Sequence, residues 1–77
     1  MTPTILKLAG EALYGPRWQS DLARDLNVAD RTMRRWCAGE DIPPGVAGDL
    51  LTICQQHEAV LGDISQHLRA VSPVAAE

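Results

Sequence analysis

The stretch QSDLARDLNVADRTMRRWCA, residues 19–38, decides how this 77-residue chain is built. Leu22 and Leu26 lie one helical turn apart with Ala23 beside them. Asn27, Val28 and Ala29 then interrupt the pattern, and Met33 and Trp36 resume it at a helical interval. Two short helices joined by so few residues must cross steeply and closely. The crossing needs a small side chain in the first helix, and Ala23 supplies it. The turn needs a residue that tolerates positive φ, and Asn27 is the best choice after glycine. Val28 plugs the turn into the core, while Met33 and Trp36 give the second helix an inward face. Position, size and polarity agree throughout, and they predict a tight two-helix corner.

Outward from that corner the chain also reads as helical. TPTILKLAGEALYGP predicts a helix over 3–14, with Thr2 as its cap, Pro3 at its first position and Gly15-Pro16 as its stop. Ile5, Leu6, Leu8, Ala9, Ala12 and Leu13 form its expected apolar face. The corner itself takes helices over 18–26 and 30–38, the second closed by Gly39 in a left-handed cap. After the loop GEDIPP, a stripe runs through Val46, Leu50, Ile53, His57, Val60, Ile64 and Val71, with His67 or Leu68 filling the gap. Its spacings alternate between four and three, like a heptad, which predicts one long helix over 44–71. A break near 57–58 is the alternative. Residues 1–71 thus read as a single all-α domain and 72–77 as a loose tail.

Composition narrows the function classes. The chain has 45% hydrophobic and 22% charged residues and no Phe, an ordinary balance for a folded domain with a thin core. No apolar run suits a membrane span and no signal pattern opens the chain, so a cytoplasmic protein is expected. Cys37 and Cys54 read as small packing side chains, with a disulfide or redox pair as the lesser reading. Cys54 and His57 have the spacing of half a zinc site, but no second pair completes it. There is no nucleophile–base pair and no glycine-rich phosphate loop, so neither an enzyme nor a cofactor is expected, and no small-molecule ligand is evident.

The stretch LARDLNVADRTMRRWCAGE, residues 22–40, resembles the helix-turn-helix of lambda-repressor-like (Cro/C1-type, XRE-type) DNA-binding domains. The matching pattern is a small residue in LA, a turn followed by an aliphatic residue, and an apolar pair with glycine shortly beyond. It covers residues 18–39. Asn27 stands where that family usually has glycine, and Ala29 where it usually has a capping serine. Either Asp30 then takes the capping role, or the helix starts one residue later. The resemblance implies a recognition helix over 30–38 lying in the major groove of double-stranded DNA. It matches Asp30, Arg31 and Arg35 to the positions that reach base edges, with Thr32 and Arg34 as phosphate partners or secondary base contacts. The implied role is a small transcription regulator, at home on the nucleoid.

The residues themselves bear on that expectation. An arginine fork can bond the O6 and N7 atoms of guanine. Arg17 and Gln19 open the second helix, whose free amides suit a phosphate, while Trp18 reads as core packing. Residues 17–36 hold five Arg against three Asp, or +2, and the remainder holds Lys7 and Arg69 against seven acids, or −5, giving the net −3. One basic face is thereby set on an acidic body. The competing reading makes Arg31, Arg34 and Arg35 a solvated face paired with Asp21, Asp25, Asp30 and Glu40. Another has the same helix gripping an acidic protein. The stripe beyond the corner either folds back on the first helix or joins a second copy, and a homodimer through the C-terminal helix is expected.

Overall fold

The computed structural model describes residues 1–71, and they form four helices: α1 (Pro3–Tyr14), α2 (Trp18–Asp25), α3 (Asp30–Cys37) and α4 (Pro44–Val71). No strand occurs among the described residues, so the protein is all-α as its sequence predicts. The helices of the corner are each one residue shorter than expected at their C-terminal ends. The expected tail, 72–77, lies outside the described residues.

Helix α1 starts as its sequence requires: Thr2 Oγ1 accepts the Ile5 N–H at 3.3 Å, and Pro3 takes the first position. Its buried face differs from the expected one. Leu6 is fully buried and Gly10 is buried with it, while Ala9 and Leu13 pack alongside. Ile5 and Leu8 point outward and are more than half exposed, and Ala12 is exposed too. The cause is Trp18, the first residue of α2. Its indole lies so close to Gly10 that a Cβ there would sit 2.1 Å from the ring, so α1 must turn its glycine side to α2.

Each helix contributes to one small core. Its buried members are Leu6 from α1, Trp18, Leu22 and Ala23 from α2, Met33 and Trp36 from α3, and Val46 and Leu50 from α4. Ile53 closes it from α4, and Ile42 from the preceding loop. Helix α4 is continuous, so the break considered near 57–58 does not occur. Gly62 costs about 1 kcal/mol relative to Ala, too little to stop a helix that has no internal proline. His57 packs edge-on against Tyr14 of α1, with ring centroids 5.8 Å apart. Beyond it, from Glu58 to Val71, every residue except Ser65 is exposed, so this half of α4 does not fold back on α1. The molecule is consequently elongated, 49 Å by 22 by 19 Å.

Candidate nucleic-acid interface

The two helices of the corner end in the same way. At the end of α2, Asn27 takes φ 59°. Its N–H donates to the Arg24 carbonyl at 3.1 Å, and the Val28 N–H donates to the Ala23 carbonyl at 2.9 Å. This paired closure satisfies two carbonyls that a bare helix end would leave open, and it turns Val28 down against the core. At the end of α3, Gly39 takes φ 110°. Its N–H donates to Trp36 and that of Glu40 to Arg35, at 3.2 and 3.1 Å. Ala23 is fully buried at the crossing.

The start of α3 differs from both expectations. Ala29 itself occupies the N-cap, in extended backbone with φ −71° and ψ 150°, and no side chain caps the helix. The Ala29 carbonyl accepts the Met33 N–H at 3.1 Å. Asp30 therefore lies in the first turn, where its charge suits the helix dipole, and does not act as a cap.

Met33 and Trp36 are buried, and Arg31, Arg34 and Arg35 are exposed on the other side. Arg31 and Arg35, four residues apart, lie on the face opposite the core; Arg34 sits toward one flank and the half-buried Thr32 toward the other. Asp30 is exposed. Among the described residues the side-chain ion pairs belong to Arg24, which meets Asp21 at 3.4 Å and Asp25 at 3.7 Å. Two of the acids that might have neutralised α3 are thus engaged within α2. Arg31 carries like charges three and four positions away, an arrangement that destabilises an isolated helix by a few tenths of a kcal/mol per pair. What such a face fits is an external anion.

Helix α2 also opens without a side-chain cap, at Arg17, beside a shallow hollow of about 300 Å³ lined by Pro16, Arg17, Trp18, Gln19 and Ser20. Trp18 is buried, as expected of a packing residue, and Arg17 and Gln19 are exposed. The Gln19 amide spans to α3, donating to Cys37 Sγ at 3.6 Å. Cys37 and Cys54 are both free thiols and half-buried. A second hollow, about 380 Å³, is lined by Pro3, Thr4, Lys7, Trp18, Gln19 and Cys37. It brings Lys7 beside the motif, a placement the sequence reading missed because Lys7 had counted only toward the acidic body.

Tyr14 was missed as well. Its hydroxyl donates to Asp25 Oδ2, tying the end of α1 to the end of α2. Burial, and then the Asp25 carboxylate that accepts this bond, push the Tyr14 phenol up to about 12. The one available signal was a lone tyrosine directly before a helix stop. No protein-family model, curated protein sequence or solved structure matches the chain, so the functional reading rests on α2, α3 and their charges.

Proposed function

We propose that the protein binds double-stranded DNA in a sequence-specific way, placing α3 in the major groove, and that it serves as a small transcription regulator on the nucleoid. The observation that carries this reading is the unpaired, exposed set of Arg31, Arg34 and Arg35 on a helix whose opposite side is held by Met33 and Trp36. An eight-residue helix is about 12 Å long, comparable to the roughly 12 Å width of the groove. Arg31 and Arg35 are the candidates for guanine, each good bidentate pair contributing about 1–3 kcal/mol of discrimination. Asp30 can accept from a cytosine amino group. Arg34, Thr32, Arg17 and Gln19 face the phosphates, and the uncapped first turns of α2 and α3 offer amides to the same backbone.

No helix among the described residues is long and apolar enough to cross a membrane, which is compatible with this role. The acidic remainder of the chain orients the basic face and limits non-specific binding.

Selection from a random duplex pool followed by fluorescence anisotropy tests the reading. An enriched sequence is expected, with affinity falling steeply as salt rises. Arg31→Ala and Arg35→Ala should each weaken binding about 10-fold or more and relax the base preference, whereas Arg34→Ala should weaken all sequences alike. A pool without enrichment or salt dependence would sink the proposal and leave an acidic protein as the target of the three arginines.

A further inference from the structure

The distal half of α4 has a face for which the monomer has no use. Val60 is 57% exposed, Leu61 60%, Ile64 46%, Leu68 59% and Val71 77%. At about 100° per residue these side chains continue the line of Val46, Leu50 and His57, the face that nearer the N-terminus lies in the core. We propose that a second copy of this chain covers it: residues 57–71 of the two α4 helices pair antiparallel about a two-fold axis near Ile64. Each Glu58 then lies beside the other copy's Arg69.

Three arguments select this arrangement. The first is steric. A parallel partner on the same face would run toward residues 46–53, where α1–α3 already sit. Paired helix axes lie about 8–10 Å apart, too close for two headpieces in a molecule of 22 by 19 Å cross-section. Run antiparallel, each helix ends where the other's headpiece begins.

The second argument is charge. On the helical wheel Glu58 and Arg69 flank one side of the stripe, and Asp63 and His67 the other. An antiparallel two-fold brings like flanks together. Glu58 then faces Arg69 on both sides of the axis, at levels that centre the pair between residues 63 and 64. A parallel pair would instead set the Glu58 flank against the Asp63 flank, acid against acid.

The third is area. A Leu, Ile or Val side chain carries roughly 60–120 Å² of apolar surface. Five of them with their flanks give roughly 1,000 Å² over both copies, at the low end of specific interfaces. Such a dimer should form and dissociate at micromolar concentrations.

Sedimentation equilibrium of the full chain, without DNA, tests this independently of the function proposed above. A monomer–dimer equilibrium is expected. Ile64→Asp should abolish it while far-UV circular dichroism keeps the helical signal, and Leu8→Asp on the outer side of α1 should leave it unchanged. At low salt, Glu58→Arg or Arg69→Glu alone should weaken the dimer about 3- to 10-fold, and the two together should restore it. A chain that stays monomeric at high micromolar concentration, or a dimer that survives Ile64→Asp, would overturn the interface. Loss of the dimer in Leu8→Asp would mean that α4 docks on the partner's α1 instead. Strengthening by Glu58→Arg would point to parallel helices, and no response to either reversal would overturn the register.

Discussion

Tyr14 shows how a single residue can join three helices without taking part in the candidate interface. Its ring meets His57 of α4 and its hydroxyl bonds Asp25 of α2. The phenol ionises near 10 in an unfolded chain and near 12 here. Between those values the folded chain keeps a proton that the unfolded chain has lost. Stability should therefore fall as pH rises through that window, with the contribution fully present below 10. Tyrosinate absorbance reports a single group, since the chain has one Tyr, and its midpoint should lie near 12. Denaturant unfolding on either side of the window should show the extra slope in the native chain and not in Tyr14→Phe. A midpoint near 10 would mean that in solution the ring is not buried against α4 and the Asp25 bond is not made. This contact could not be read from sequence, because nothing in local periodicity pairs residues 14 and 25. Asn27, Val28, Met33 and Trp36 were legible for the opposite reason: a three-residue turn restricts each of their positions to few residue types.

Helix pairing makes its own demands, and Gly10 against Trp18 is the clearest. An interior glycine lowers helix propensity by about 1 kcal/mol relative to Ala, so Gly10→Ala would stabilise α1 were the site open. A Cβ 2.1 Å from the indole cannot be accommodated without moving Trp18. Overpacking of this kind costs about 1–3 kcal/mol or more. A net loss is expected, read as a lower urea midpoint with altered tryptophan emission; an equal or higher midpoint would show that the two helices can separate at little cost. The same contact explains why element positions were legible and the facing of α1 was not. Helix starts and stops are written locally by Thr2, Pro3, Gly15 and Pro44. Which of several apolar residues turn inward depends on how close the neighbouring helix comes. Ile5 and Leu8 were therefore placed on the wrong side. Ala29 is intermediate: its lack of a capping oxygen was visible, but the helix begins beside it regardless, because Asn27 and Val28 already set the chain's direction.

Over the whole molecule, the two proposals together constrain the DNA. Helix α3 belongs to a headpiece whose core includes Val46 and Leu50, and the proposed dimer axis lies near Ile64. With the antiparallel centre between residues 63 and 64, the two Leu50 positions stand about 27 residues apart along the paired helices, or roughly 40 Å at 1.5 Å per residue. One turn of DNA separates equivalent groove positions by about 34–36 Å, and two turns by about twice that. Reading helices carried at the Leu50 spacing match half-sites on the same face of the duplex one turn apart, and that spacing is far too short for two. Selected sites should be inverted repeats with centres about 10–11 base pairs apart. Inserting about half a turn between the half-sites should reduce affinity to that of a single half-site, because the second headpiece would then face away from its groove. Ile64→Asp should bind the intact and the lengthened site equally, having lost the link between headpieces while keeping α3. Tight binding of the native chain to a lengthened site would show that α4 does not hold the two reading helices at a fixed distance.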